Sequence, residues 1–233
     1  MTAMTVPSTR AMIWTLAGVT LKRLGRGMAL WISALFAALP LIYAVIAHAG
    51  RSEFHPSLQF GFSTLPLALL PAMLVGASIG EEIEARTATY LWSRPIARWA
   101  VLAGKLVALT PIVAVLVVAS WLAAAWIATE QLPTLASSIA LAAGAIASSL
   151  VVAGIAVVVP KHGTALTIGY MLVDLFVSAI PFSLQELSII HQVRLIAGMA
   201  DDPQAFVAPA IAIVAIAGVW TAIGLVRLRR LEV

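Results

Sequence analysis

The sequence predicts an all-α, polytopic membrane protein with six transmembrane helices, an N-terminal amphipathic interfacial helix and both termini in the cytoplasm. Three observations predict it. First, the 233 residues are 62% hydrophobic, with a mean hydropathy of +1.03 and only 14 basic and 10 acidic side chains. A water-soluble domain covers its surface with about a quarter charged residues. Second, six apolar runs approach or exceed the roughly 20 residues that a bilayer-crossing helix needs. Third, lysine and arginine are sorted between the segments that join these runs.

The elements follow in chain order within a single transmembrane domain, residues 1–233. Residues 1–27 form a polar, basic lead, unlike the short charged n-region of a signal peptide, so the lead is expected to stay in the mature protein. Within it, helical spacing from Thr9 to Gly27 puts Ile13, Leu16, Ala17 and Leu24 on one side, with Thr15, Gly18, Lys22 and Arg26 on another. That pattern predicts a helix lying in the membrane interface with its basic residues toward headgroups. The apolar runs are 28–48, 63–80, 106–129, 135–159, 164–182 and 204–226. They are too long and too little alternating for strands. Pro40, Pro66, Pro71, Pro111 and Pro181 fall inside them, which packed neighbours in a bilayer tolerate. Lys105, at the start of the third run, is expected to snorkel to the interface. Between the fifth and sixth runs, residues 183–203 repeat Leu184, Leu187, Ile190 and Val193 at helical spacing, predicting a second interfacial helix on the outer side. Residues 227–233 are a basic tail.

With the N-terminus inside, twelve lysines and arginines fall on the inner side and only Arg51 and Arg194 on the outer. This positive-inside bias places both ends in the cytoplasm. The basic balance then reflects topology and contact with anionic lipid, not nucleic acid. There is no cysteine, which excludes disulfides and thiolate metal sites, and no histidine–carboxylate spacing marks a metal site of another kind.

The inner loop after the second run, residues 81–98, is unlike an ordinary connector. In "EEIEARTATYLWSRPIARWAVLAGK", Glu81 to Lys105, three acids, three arginines and a lysine occupy 25 positions. Topology asks for the arginines but not for three glutamates beside them. Fixed charges of both signs suit docking to a second protein, where they set register and partner choice. Pro95 forbids a smooth helix through Arg94, which predicts a short charged helix, a break, and a second helix entering the membrane.

This segment resembles the first cytoplasmic loop of permease subunits in the type-2 ABC exporter family. The resemblance rests on Glu84, Thr87, Leu91, Ser93-Arg94-Pro95, Ile96, Arg98 and Gly104-Lys105, and departs at Arg86, where the family usually has glycine. It implies that Glu81, Glu82, Glu84, Arg86, Thr87, Tyr90, Arg94, Pro95 and Arg98 form a coupling helix held by an ATPase. The implied partners are two cytoplasmic ABC ATPase subunits and a second permease copy, identical or related. It further implies that residues 1–27 are an elbow helix, that 183–203 form an extracytoplasmic gate, that the substrate is exported, and that the setting is a bacterial cell membrane. The only Gly-Lys pair, Gly104-Lys105, lies outside any phosphate-binding loop, so this chain is expected to bind no cofactor and to be no enzyme. ATP and Mg belong to the partner.

Three further features carry competing readings. Asp174, within the fifth run, is costly in a bilayer and must face protein or water. It is a proton relay, the basis of a proton-coupled secondary transporter, or a polar contact to substrate in the pore, or an interhelical lock with a neighbour such as Tyr170, and the lock is the preferred reading. "GASIG", Gly76 to Gly80, matches a nucleophile pattern around Ser78 that would serve a membrane-embedded hydrolase. It is also G-x-x-x-G, a close-packing signal for Gly76 and Gly80, and packing is the stronger reading. The small residues of the fourth run predict close approach of backbones, with serines bonding across. Pore walls of Ala, Val, Leu and Ile suit an amphipathic or hydrophobic substrate.

Overall fold

The computed structural model describes residues 8–50, 55–84, 98–159, 162–180, 183–199 and 206–230, and these are all-helical with no strand among them. Helix α1 (Thr9–Arg26) is capped by Ser8, whose hydroxyl accepts from the Ala11 amide, and it stops at extended Gly27. Helices α2 (Met28–Ala37) and α3 (Leu39–Gly50) make one run with a defect at Ala38. Next come α4 (Pro56–Pro71), a π-helical turn (Ala72–Gly76) and α5 (Ala77–Glu84). The long α6 (Arg98–Thr129) and α7 (Leu135–Val158) form a hairpin. The chain continues through α8 (Gly163–Val177), a 3₁₀ turn (Ser183–Leu187), α9 (Ile189–Ile196) and α10 (Val207–Arg230).

Among the described residues, five helical segments are long and apolar enough to cross a membrane: Met28–Gly50, Pro56–Gly80, Trp99–Thr129, Leu135–Val158 and Val207–Arg230. These are the features of a multi-pass membrane protein. The expected fifth span, 164–182, is instead a 15-residue helix that ends at Val177. At 1.5 Å per residue it covers roughly 22 Å, short of the ~30 Å hydrocarbon core. Its last turn tightens, with the Ala179 amide on the Phe176 carbonyl, and the Ser178 hydroxyl turns back to the Leu175 carbonyl, 2.6 Å away. Two other boundaries also move. The second span begins earlier, at Pro56, and the last helix runs through Arg227, Arg229 and Arg230, where a separate tail had been expected.

The α4–α5 unit and α7 occupy the middle, with 67% and 72% of their apolar windows buried, against 22% for the first and last helices. Those outer helices present Trp31, Leu35, Ile46, Ile211 and Val214 outward, a surface suited to lipid or to another membrane helix. Small residues let α7 take its central place. Gly154 lies against Trp220 and Gly224, which is where α7 and α10 meet most closely. Gly104, near the start of α6, lies against Ile13, Leu16 and Ala17 of α1.

Prolines disturb the helices where polar side chains from neighbours can compensate. Pro40 has no amide to donate, and the backbone around it is reached from two sides. The Gln59 amide donates to the Pro40 carbonyl at 3.1 Å, and the Ser120 hydroxyl to the Ala37 carbonyl at 2.5 Å. In a bilayer such backbone groups have no water to turn to. The π turn follows Pro71 directly, and its wider pitch is closed by the Ala77 amide on the Ala72 carbonyl. Of the α7 serines, Ser137 bonds across the hairpin, accepting from Trp121 Nε1 at 3.1 Å. Ser149 turns back onto Ala145, so the expectation that serines bond across holds for only part of the helix.

Candidate functional site

The loop flagged by its charges is framed by α5 and α6. Glu81, Glu82 and Glu84 lie on the last turn of α5, and Arg98 opens α6. Arg86, Thr87, Tyr90, Arg94 and Pro95 lie outside the described residues. What the fold defines is the base on which this loop stands. Two consecutive residues build it. Gly104 has no side chain because a Cβ there would stand 2.9 Å from Leu16 Cβ and 3.1 Å from the Ile13 carbonyl, so α1 packs directly on α6. Lys105 points the other way and donates to the Ser78 carbonyl on α5 at 2.5 Å. Its exposure is 4%, so it is buried between helices and does not snorkel.

Helices α1, α5 and α6 are therefore joined at the mouth of the loop. The face of α1 that does this carries Ile13, Leu16, Ala17 and Leu24, its less exposed residues, whereas Trp14, Val19 and Leu21 are exposed. The helix thus has a protein-facing apolar stripe and a second apolar surface directed outward.

Gly76 and Gly80 lie on the side of the second span that meets α8. A Cβ on Gly76 would be 2.7 Å from Thr167 Oγ1 and 3.1 Å from Val152; one on Gly80 would be 3.2 Å from Thr164 Oγ1. Thr164 and Thr167, three residues apart, present one face of α8 to this pair. Ser78 sits between the glycines beside a cavity of about 280 Å³ whose lining includes neither histidine nor carboxylate. Among the described lining residues nothing pairs with Ser78 as the base of an activated nucleophile, and Lys105 Nζ is spent on its carbonyl.

Asp174 is buried, with 6% exposure, and both of its carboxylate oxygens are engaged. Its Oδ1 accepts from the Ile189 amide at 3.1 Å and its Oδ2 from the Ile190 amide at 3.2 Å. The Ser188 hydroxyl donates to the Asp174 carbonyl at 3.2 Å and accepts from the His191 amide at 3.1 Å. The Gln192 amide reaches the Ser188 carbonyl. All four amides that open α9 are thus satisfied, two of them by a carboxylate from another helix. Its partners are the backbone of α9 and not Tyr170, whose ring packs edge-on against Trp220 at 5.6 Å.

This lock explains a difference from expectation in residues 183–203. Leu184 and Leu187 are exposed, but Ile190 and Val193 are fully buried, and Val193 fills the space left by Gly144 on α7. So α9 is inserted among α4, α7 and α10 and does not rest on lipid. Gln192 holds the preceding turn by donating to the Glu186 carbonyl at 2.8 Å. His191 faces Glu186 at 4.0 Å. Burial lowers its pKa below the ordinary imidazole value; Glu186 opposes this and Arg194 reinforces it. No protein-family model matches the chain, and no curated protein matches it either.

Proposed function

We propose that the chain is the membrane-spanning permease subunit of an ATP-binding cassette transporter, exporting an amphipathic or hydrophobic substrate across a bacterial cell membrane. In this reading it spans the membrane six times, with α8 as the short fifth crossing and both termini in the cytoplasm. Two ATPase subunits, which carry the ATP and Mg, grip residues 81–98, and a second permease copy, identical or related, completes the pore. The observation that carries the proposal is the base of the loop. A mixed-charge segment stands on three helices that Gly104 and Lys105 bind together. An ATPase can bias a permease only by favouring one of its conformations, and a rigid base converts movement of the loop into movement of helices. Residues 183–203, with α9 wedged into the far half of the bundle, are the gate in this scheme. Engagement of both Asp174 oxygens by backbone amides supports a structural lock over a proton relay.

Charge reversal tests the coupling. Glu84→Arg with Arg98→Glu should leave the chain folded and ATP hydrolysis by the partner running, while substrate movement falls to background. Transport at the unaltered rate in the double variant would show that these charges do not couple the two subunits.

A further inference from the structure

Where α1 ends and the membrane run begins, the molecule has a hollow that neither the coupling loop nor the packing of the bundle accounts for. Its outer part is an open groove along Val19, Lys22, Arg23, Arg26 and Gly27. It shares Arg23 and Gly27 with the cavity of about 280 Å³ that reaches inward to Leu24, Met73, Leu74, Ala77 and Leu109. The groove is lined mainly by cationic side chains and the neighbouring cavity mainly by apolar ones. The α1 helix contains no acidic residue, and Lys22 and Arg26 occupy consecutive turns on its exposed side. Trp14, Leu21, Met28 and Trp31 are exposed close by in sequence, with Trp31 at 76%, as expected where protein meets lipid headgroups.

We propose that this hollow is a binding site for one anionic phospholipid. Its phosphate lies between Lys22 and Arg26, and the upper part of one acyl chain enters between α1, the π turn and α6. Charge complementarity selects an anionic headgroup, and the apolar inner wall selects a lipid over a free anion. The cavity is close to the roughly 300 Å³ floor of small-molecule pockets, so it admits part of a chain while the remainder lies along the exposed apolar surface. A general positive-inside excess explains basic residues beside a span but not a cavity opening from them. The bound lipid would touch Met73 and Leu74 of the π turn, linking membrane composition to the second span. This inference needs the chain to sit in a membrane but does not need an ATPase partner, so the two proposals fail separately.

The test uses the purified full chain in a neutral detergent, with phosphatidylglycerol and phosphatidylcholine of the same acyl chains as probes. Bound lipid is counted by intact-complex mass spectrometry. One phosphatidylglycerol should be retained in preference to phosphatidylcholine. Lys22→Gln with Arg26→Gln should weaken it roughly thirtyfold, the product of two basic contacts. Ala77→Phe, which fills the cavity without altering charge, should also weaken it. Arg229→Gln with Arg230→Gln, an equal loss of charge at the other basic cluster, should leave it unchanged. Equal retention of both lipids, equal weakening by the Arg229/Arg230 pair, or no effect of Ala77→Phe would overturn the site. So would displacement by inorganic phosphate at the concentration at which phosphatidylglycerol competes, since a free anion would then suffice.

Discussion

Asp174→Ala is expected to release α9 from the bundle while the long helices stay folded. The substitution strips acceptors from two buried amides, Ile189 and Ile190, which have no water to replace them. Leaving a buried donor unsatisfied costs about 1–3 kcal/mol, so the pair costs about 2–6 kcal/mol. Asp174→Asn should fall between, because one carboxylate oxygen becomes an amide that points donors at a donor. Amide hydrogen exchange measures this directly. Protection of residues 189–196 should collapse in the alanine variant, with protection of 135–158 retained. Acid should act in the same direction. The His191 pKa is lowered in the folded protein, so below the ordinary imidazole value of about 6.5 the undocked state takes up a proton that the docked state resists. Docking of α9 is therefore strongest above that pH and weakens as pH falls below it. Unchanged protection of α9 in Asp174→Ala would mean that hydrophobic insertion alone holds the segment.

The second large effect is expected where α7 meets α10. A Cβ on Gly154 would stand 2.5 Å from the Trp220 carbonyl oxygen and 3.0 Å from its carbon. Those are backbone atoms and cannot rotate aside, so Gly154→Ala must push the helices apart. Overpacking of this kind costs about 1–3 kcal/mol, and Gly154→Leu more. Gly224→Ala should cost less, because its Cβ would meet Gly154 Cα at 3.1 Å. Gly218 lies on the same helix with nothing within 4 Å, and Gly218→Ala should be neutral or slightly stabilising. The melting order followed by tryptophan fluorescence should be Gly218→Ala highest, then Gly224→Ala, then Gly154→Ala. Equal melting of all three would mean that α7 and α10 are not in contact at these glycines.

Particular residues show how much of this was legible beforehand. Apolar runs mark the long helices because a bilayer leaves the backbone no other partner than itself. Gly76 and Gly80 were visible as a small-residue pair, although nothing in the pattern named Thr164 and Thr167 as what they face. Asp174 stood out by its expense in lipid. Its partners did not, because they are backbone amides 15 and 16 residues away, and every residue has one. The spacing of Leu184, Leu187, Ile190 and Val193 signalled a helix but not its direction. The same period serves a helix resting on lipid and one inserted in a bundle, and burial divides the set between Leu187 and Ile190.

Lys105 fails as a snorkelling residue for a related reason. A lysine stem near a helix end reaches either the interface or a neighbour's carbonyl, and Ser78 is a contact across 27 positions. The π turn likewise needs the third dimension. Pro71 announces that an amide is missing, but whether the helix kinks or widens depends on what packs beside it. As for the site, charge order within residues 81–98 pointed to docking. The junction beneath it, at Gly104 and Lys105, was visible only as the last two positions of a resemblance.

The most direct measurement is a gentle-detergent purification of the tagged chain from its own cells, asking whether an ATPase comes with it. A permease gripped through residues 81–98 should bring down two ATPase subunits for every two copies of the chain, and should lose them when Glu81, Glu82 and Glu84 are changed to lysine. A chain that purifies without any ATPase and still moves its substrate in reconstituted vesicles would contradict the account.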